Sequence, residues 1–168
     1  MALKGAKVLL VDLDLRKATL SKALDKEHTG IAAYLTGKSA DYHAHVDRVS
    51  DNLFVLPVGT LPPNPTELLL TGRFGEMMTS LRQEYDYIFI DCPPIEVVAD
   101  AAIITKHTDM TVFVVRSGLL DKRSLPRIKA LYESAKYSRM ALIVNGIDVE
   151  GRRSGYGYGY GYGYGNNE

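Results

Sequence analysis

The stretch that decides the fold prediction is KVLLVDLDLRK, residues 7–17. Its apolar run, residues 8–11, is followed by two carboxylates one residue apart, Asp12 and Asp14, and then by Arg16. Residues two apart in a β-strand point to the same side, so both acids emerge together if this run is a strand. Open α/β sheets place their ligands at the carboxyl ends of buried parallel strands. We therefore predict that the two acids serve a magnesium nucleotide.

The composition is that of one globular domain with a core. The 168 residues are 46% hydrophobic and 24% charged, which suffices for a sizeable core. Twenty basic and twenty acidic side chains cancel, so no overall field recruits nucleic acid or an anionic membrane. The single cysteine, Cys92, fits a reducing cytosol. No run is long enough to span a bilayer, so we expect a cytoplasmic chain whose membrane link comes from a segment or partner outside it.

Strand signals alternate with helix signals along the chain. Runs rich in Val, Ile, Leu and Phe predict strands at 7–13, 53–58, 87–91, 111–115 and 141–144. Apolar spacing predicts helices around 20–24, at 31–35, within 66–84 as one or two helices, at 97–105 and from 124 onward. Strands separated by helices favour a parallel sheet covered on both faces. We predict a doubly wound, mostly parallel α/β fold of the nucleoside-triphosphatase type.

A second strand also ends in an acid. The run YIFID, residues 87–91, is followed by Cys92 and two prolines, which forbid continuation of the strand. This is the form of a Walker B element, and Asp91 could join the first two acids around a hydrated Mg²⁺. Either run alone is equally well explained as a core strand that ends in a solvated aspartate. The two together favour a ligand site.

A phosphate-binding loop is the missing part of such a site. Residues 32–39, AAYLTGKS, match a relaxed P-loop pattern. A working P-loop follows a buried strand and opens a helix at its Lys-Ser pair, whereas the residues before this segment indicate a turn. We interpret it as a helix that Gly37 ends.

These motifs resemble those of one protein family. VLLVDLDLRK resembles the Walker A-prime element of bacterial tyrosine autokinases, YIFIDCPP resembles their Walker B element, and LPPNPTELL at 61–69 is similar to a segment typical of them. The resemblance runs from about Lys4 onward, and a terminal tyrosine cluster makes it specific. It implies a P-loop NTPase-like fold of the deviant Walker type, in which this chain lacks the first strand and the P-loop. It also implies ATP and Mg²⁺ as cofactors and a role in exopolysaccharide or capsule synthesis.

The resemblance assigns roles to the acids and names partners. Asp12 would be the base or water-positioning carboxylate, Asp14 and Asp91 would hold Mg²⁺ directly or through water, and Arg16 would pair with phosphate or with its acidic neighbours. Phosphoryl transfer depends mainly on such positioning and charge neutralisation. The implied partners are further copies of the domain in a ring, a membrane co-polymerase segment that is fused upstream or separate, and a cognate phosphatase.

Two residues follow the last two predicted strands. In the wider ATPase class that this domain resembles, an Asn at the position of Asn145 reads the adenine edge; an Asn-Gly turn that needs no ligand explains it equally well. Arg116 either faces the nucleotide or is solvated. Cys92 is interpreted as a small apolar residue at a strand end, because no histidine lies near it in sequence.

Glycine and tyrosine alternate strictly from Gly155 to Gly165, and we take 1–149 as the domain and 150–168 as a flexible tail. One interpretation is a low-complexity segment that associates through aromatic contacts. The other is a flexible substrate that enters a neighbouring subunit, with five acceptors: Tyr156, Tyr158, Tyr160, Tyr162 and Tyr164. Full phosphorylation would add about −7.5 to −10 charges, which would repel one another within a ring and loosen it.

The missing P-loop leads to two expectations and leaves two other functional classes open. We expect the chain alone to bind ATP poorly, and we expect a gap in the sheet that exposes unpaired backbone edges.

The first alternative function is an ATPase of the plasmid-partition or Min type, against which the tyrosine tail argues. The second is a non-enzymatic module that serves as a phosphorylation substrate or binds an activator.

Overall fold

The structure, a computed structural model, describes residues 1–26, 29–94, 99–137 and 139–147. The predicted tail and its five tyrosines lie outside these residues, as do the first two residues of the helix predicted at 97–105. Six strands lie within them: β1 Val8–Asp12, β2 Asp47–Ser50, β3 Leu53–Leu56, β4 Tyr87–Asp91, β5 Val112–Arg116 and β6 Ala141–Asn145. The α-helices are α1 Thr19–Ala23, α2 Ile31–Leu35, α3 Pro65–Leu69, α4 Gly72–Glu84, α5 Asp100–Ile104 and α6 Leu125–Glu133.

The larger sheet has four strands in the order β2-β3-β1-β4. β1 pairs in parallel with β3 and with β4, so it is a central strand. Four of its five residues are buried, as its uninterrupted apolar run predicts. β2 pairs antiparallel to β3 and was not predicted. It lies at the edge of the sheet with polar residues such as Asp47 and Arg48, and charged edge strands lack the apolar alternation that identifies a strand.

β5 and β6 form a separate, parallel two-stranded sheet. Among the described residues no ladder joins β4 to β5, so both are edge strands. The predicted gap in the sheet is therefore present, and it lies between these two strands.

The core lies between the larger sheet and its helices. α4 contributes Phe74, Met77, Met78 and Leu81, which recur at helical spacing and are all buried. The segment predicted as one or two helices is two: α3 ends at Leu69, α4 begins at Gly72, and Gly75 lies inside α4. α6, which lies between β5 and β6 in the chain, has no buried residue, so the core belongs almost entirely to the four-stranded half.

The apparent P-loop is a helix end, as predicted. Ala32 to Leu35 belong to α2, and Gly37 follows with a φ of 78°, the left-handed conformation that ends helices. Lys38 is exposed, and the described residues between α1 and α2 form no strand that would begin a phosphate cradle. In the part of the chain that the structure describes, no helix is both long and apolar enough to cross a membrane.

Candidate functional site

β1 and β4 bring two acids to one edge of the sheet. Asp12 and Asp91 are register partners at the carboxyl ends of these adjacent parallel strands. The Leu13 backbone N–H donates to the Asp91 carbonyl oxygen at 2.9 Å, so the pairing continues past the end of β1. Asp14 follows at the start of the next loop. The structure therefore places all three predicted acids at the same edge.

Asp12 organises the loop that follows β1. It is fully buried; its Oδ1 accepts the Asp14 N–H at 3.0 Å, and its Oδ2 accepts both the N–H and the hydroxyl of Ser21 at 2.8 and 2.7 Å. The Ser21 hydroxyl oxygen also accepts the Val58 N–H at 2.9 Å. Asp12 thus ties β1, α1 and the segment after β3 together, and both of its carboxylate oxygens are occupied by these donors.

Asp14 is held by the turn that it begins. Its Oδ1 accepts the N–H of Arg16 at 3.3 Å and that of Lys17 at 3.1 Å. The side chain is almost fully buried, and backbone donors replace part of its hydration. The carboxylate is thereby held beside the strand end, next to Asp12.

Arg16 is bound to residues that the sequence analysis did not select. Its Nε donates to Asp100 Oδ2 at 3.2 Å and its Nη2 donates to Thr66 Oγ1 at 2.9 Å, while Thr66 Oγ1 donates to Asp100 Oδ1 at 2.6 Å. Asp100 is buried at the first residue of α5. Thr66 lies in the quoted segment at 61–69, but Asp100 lies in a small, apolar stretch that carries no motif. Only the fold brings these residues to Arg16.

Asp91 lies in an environment of excess negative charge. Burial raises the pKa of its carboxyl, and the charges of Asp12 and Asp14 raise the pKa further. Arg16, the nearest cation along the loop, is paired with Asp100 instead. Burial and the neighbouring negative charges disfavour the ionised form of this carboxyl group, and a bound cation would stabilise that form. Asp91 therefore has the electrostatic environment expected of a Mg²⁺ ligand.

The donor set fits a hydrated Mg²⁺ better than a cage made only of protein ligands. Within the described ranges no three His, Cys, Asp or Glu side chains converge closely enough to hold a metal ion. Mg²⁺ commonly takes one or two carboxylates and completes its shell with water and phosphate oxygens. Asp14 and Asp91 would hold it, since both oxygens of Asp12 are already bonded.

Arg116 and Asn145 lie together at the end of the smaller sheet. They are register partners at the carboxyl ends of β5 and β6, and the Arg116 side chain passes close to Gly146. Asn145 Oδ1 accepts the Gly146 N–H at 2.8 Å, as in the turn interpretation. Both side chains are exposed, and the gap between the two sheets separates them from Asp12.

That gap is a groove with a cavity volume of about 1200 Å³. β4 and β5 line its two sides, and both Asp91 and Arg116 contribute to it. Cys92 also lines it, and burial followed by the nearby carboxylates raises the pKa of its thiol to about 12. A thiol with so high a pKa is a poor nucleophile, in agreement with the interpretation of Cys92 as a packing residue.

The sequence matches a family model and several known proteins. The family model for an AAA domain, AAA_31, matches residues 1–137. The tyrosine-protein kinase CpsD of Streptococcus pneumoniae is 36% identical over 154 residues, which cover 90% of this chain and 67% of the relative. The chain belongs to the bacterial tyrosine-protein kinase family. It spans about two thirds of the length of that relative.

Solved structures place this member of the family in the expected fold. The kinase domain of the Escherichia coli tyrosine kinase ETK superimposes with a TM-score of 0.80 at 28% identity, covering 96% of this chain and 62% of that one. The septum site-determining protein MinD from Pyrococcus horikoshii, complexed with Mg-ADP, superimposes with a TM-score of 0.63 at 23% identity, covering 83% and 58%. The second likeness shows the fold alone, a mixed α/β sheet of the P-loop NTPase type.

Proposed function

We propose that this chain carries the acidic half of an ATP-dependent tyrosine autokinase site, together with the tyrosines that a neighbouring subunit phosphorylates. The observation that carries the proposal is the pairing of Asp12 with Asp91 at one sheet edge, with Asp14 beside them. Bound Mg-ATP would supply the phosphoryl group. Asp14 and Asp91 would hold the metal ion, and Arg16 would stabilise phosphate charge once it leaves Asp100.

The proposed role of Asp12 follows from its bonds. It fixes the loop that carries Asp14. Its Oδ2 would accept the tyrosine proton only if Ser21 releases that oxygen, whereas its Oδ1 accepts the Asp14 N–H and keeps a second lone pair. Asn145 and Arg116 would reach the nucleotide from the smaller sheet. The acceptors would be Tyr156, Tyr158, Tyr160, Tyr162 and Tyr164.

The family supports a wider proposal about the setting. The domain would work in the cytoplasm, within a ring of identical copies that is bound to a membrane co-polymerase segment. A cognate phosphatase would remove the phosphate from its tyrosines. The system would serve capsule or exopolysaccharide synthesis. The relatives' names support the kinase activity.

The acceptor half is tested by mixing the chain with an ATP-competent kinase domain of the same family and Mg-ATP. We expect mass spectrometry to find phosphate on the five tail tyrosines, and none on a variant with phenylalanine at all five positions. A wild-type tail that stays unmodified would contradict the proposal.

The acidic half is tested on the isolated chain. Added Mn²⁺ should broaden the NMR signals of amides around Asp14 and Asp91, and the double variant Asp14→Asn, Asp91→Asn should abolish the effect. Asp51→Asn, at an exposed turn position, is the control. Calorimetry with Mg-ATP should detect little binding; tight, stoichiometric binding would show that the chain holds a complete nucleotide site.

A second candidate, a non-enzymatic substrate module, is favoured by one observation. The sequence has a single Gly-Lys-Ser, at 37–39, and it follows the end of α2. If the tail acquires phosphate only in the presence of the partner kinase, the chain acts as a substrate. Phosphate on the tail without the partner would instead show autokinase activity of the chain alone.

A further inference from the structure

The segment around α6 carries a local excess of positive charge. The whole chain has twenty basic and twenty acidic side chains, but residues 116–139 contain seven basic and only two acidic ones. All nine of these side chains are exposed. The charges of the chain therefore cancel overall but not locally, and this surface attracts anions.

Four of the cations lie close together at the start of α6. A single turn of 3-10 helix, Lys122–Ser124, runs directly into α6. Arg123 and Arg127 are four residues apart, and Lys122 and Lys129 are seven apart, which are spacings that place residues on the same side of a helix. We call these four side chains the basic surface.

The acidic neighbours hold these cations only weakly. Arg123 donates from Nη2 and Nε to Asp121 Oδ2 at 2.6 and 2.9 Å, and Lys129 Nζ lies 3.5 Å from Glu133 Oε1. All four side chains of these two pairs are at least half exposed. Exposed ion pairs contribute little free energy, so a phosphate dianion competes well with each carboxylate.

The tail is connected to the domain at the point from which the basic surface also departs. The Ser117 N–H, directly after β5, donates to the carbonyl oxygen of Asn145 at the end of β6, at 2.8 Å. Lys122 follows Ser117 by five residues, and the tail, residues 150–168, begins five residues after Asn145. The tail and the basic surface are therefore tethered to one bonded corner of the smaller sheet.

The tail is long enough to cover the basic surface. Tyr156 lies nine residues beyond Ile147, which allows a reach of up to about 30 Å, whereas residues 122–133 span about 20 Å. Tyrosines at every second residue of an extended chain are about 7 Å apart. Residues four apart on a helix are about 6 Å apart, so successive phosphates can meet successive cations.

Phosphorylation determines whether the tail is attracted to this surface. The tail has two acidic and two basic side chains, so their charges cancel before modification. Five phosphates add about −7.5 to −10 charges. The tail thus becomes complementary in charge to the basic surface only after it is phosphorylated.

We propose that the basic surface is the docking site for the phosphorylated tail of the same chain. This inference rests on the proposed function, which makes the five tail tyrosines phosphoacceptors. The guanidinium groups of Arg123 and Arg127 donate to phosphate oxygens, and Lys122 and Lys129 add point charges. The tether gives the phosphates an effective concentration of about millimolar, which favours the tail over free anions.

Docking has a consequence for the proposed reaction. It keeps the phosphorylated tail away from the sheet edge where Asp12, Asp14 and Asp91 lie, whose negative charge repels phosphate. The unphosphorylated tail is not retained by the basic surface and remains available as a substrate. The basic surface therefore separates the product form of the tail from the substrate form.

The first test titrates a synthetic peptide into the 168-residue chain with an unmodified tail. The peptide has the sequence of residues 155–165 and carries phosphate on all five tyrosines. We expect saturable NMR shifts that are largest at residues 122–129, with binding at least about tenfold weaker at about 0.5 M than at about 0.1 M NaCl, because salt screens exposed charges. The same peptide without phosphate should leave these signals unchanged.

Matched triple variants locate the binding. The variant Lys122→Gln, Arg123→Gln, Lys129→Gln should bind the phosphopeptide at least about tenfold more weakly. The control removes two lysines and one aspartate-paired arginine from the larger-sheet half, and it should bind as the unchanged chain does: Lys4→Gln, Lys38→Gln, Arg48→Gln. All six positions are exposed, and circular dichroism verifies that both variants are folded.

The second test examines the tail of the chain itself. A semisynthetic 168-residue chain with phosphotyrosine at the five tail positions is compared with the unmodified chain. The signals of residues 122–129 should differ between the two, and the difference should not depend on protein concentration. Added phosphopeptide should bind the semisynthetic chain at least about tenfold more weakly, since its basic surface is already occupied.

Four outcomes would overturn the proposal. Two of them are equal binding of the phosphorylated and unphosphorylated peptides and equal binding by the two triple variants. The third is a shift in the semisynthetic chain that grows with protein concentration, which would place the tail on another copy. The fourth is binding of phosphatidylserine vesicles without binding of the phosphopeptide, which would make an anionic membrane the occupant. Because the phosphates are introduced by synthesis, none of these results depends on whether a kinase modifies the tail.

Discussion

Asp12 combines a candidate chemical role with a structural one. Its two oxygens accept three hydrogen bonds from the Asp14 and Ser21 groups, in a position without solvent contact. Hydrogen bonds to a buried charged group are stronger than neutral ones, and an unpaired donor there carries the full desolvation penalty. A change at Asp12 therefore alters the fold as well as any chemistry.

We expect Asp12→Asn to lower the free energy of unfolding by about 1–3 kcal/mol, because one oxygen becomes an amide nitrogen that faces donors. Urea denaturation of the chain without nucleotide measures this. Asp51→Asn, at a nearly fully exposed position, should change stability by less than about 0.5 kcal/mol. Equal stability of the Asp12 and Asp51 variants would mean that the Asp12 bonds contribute little.

His43 should titrate above the usual histidine range. The hydrogen bond of its Nδ1 to Asp41 raises its pKa most; burial opposes this, and the contact of Nε2 with Glu84 raises the pKa further. Since the pKa is higher in the folded chain, the stabilisation from protonated His43 is complete below the unfolded value, about 6.5. It is lost as the pH rises through the folded value.

NMR titration of the His43 ring, with and without Asp41→Asn, measures the effect. Asp41→Asn should lower the pKa of His43. Relative to the unchanged chain, the variant should have a lower free energy of unfolding at about pH 5.5 and the same free energy of unfolding at about pH 9. Glu67→Gln, at a carboxylate bonded to Asn64 rather than to His43, is the control. An unchanged His43 pKa in Asp41→Asn would refute the prediction.

At the scale of elements, the clearest constraint is how α2 meets the loop after β3. The N–H groups of Ile31 and Ala32 donate to the carbonyl oxygens of Pro57 and Val58 at 2.8 and 3.1 Å. Gly30 lies directly against this backbone, where a Cβ would clash with Pro57 O and Val58 C. The φ of Gly30 is extended and suits any residue, so the backbone conformation does not require glycine here. Glycine is required because it has no side chain, which lets the two backbone segments approach so closely.

We expect Gly30→Ala to destabilise the chain by at least about 2 kcal/mol, since two backbone segments must separate to admit a methyl group. Gly75→Ala is the matched control. A Cβ at Gly75, inside α4, would make only ordinary contact with His107, so this change should raise stability by up to about 1 kcal/mol. Thermal unfolding of both variants measures the contrast; similar melting temperatures would contradict it.

At the scale of the whole molecule, the two sheets differ in how well they are covered. Leu9 and Val11 of β1 have no exposed surface, whereas Leu142, Ile143 and Val144 of β6 are each about half exposed. α6 buries none of its residues. Local stability follows buried apolar contact, so the smaller sheet should open without unfolding the larger one.

We expect native-state hydrogen exchange to be at least about 100-fold faster at the amides of β5 and β6 than at those of β1 and β3. NMR or mass spectrometry on the chain alone measures this. Equal protection in both sheets would show that they unfold as one cooperative unit.

Much of this architecture follows from local patterns. Five strands, the helix at 31–35 and the break between α3 and α4 follow from runs of apolar residues and from Gly and Pro. β2 was missed because a charged edge strand has no apolar signature. The convergence of Asp12, Asp14 and Asp91 could be predicted because parallel strands that end in acids share an edge.

Tertiary structure alone decided the partners of those acids. Nothing local connects Arg16 to Thr66 and Asp100, which lie 50 and 84 residues away, or Asp12 to the Ser21 bond with Val58. Such contacts depend on how helices dock onto the sheet, and residue periodicity does not encode docking. The sequence by itself determined the fold class and the acidic strand ends of residues 7–17. Packing determined that Asp12 is bonded on both oxygens and that Arg16 is paired with Asp100 rather than with Asp12, Asp14 or Asp91. It also determined that the predicted gap in the sheet lies between β4 and β5.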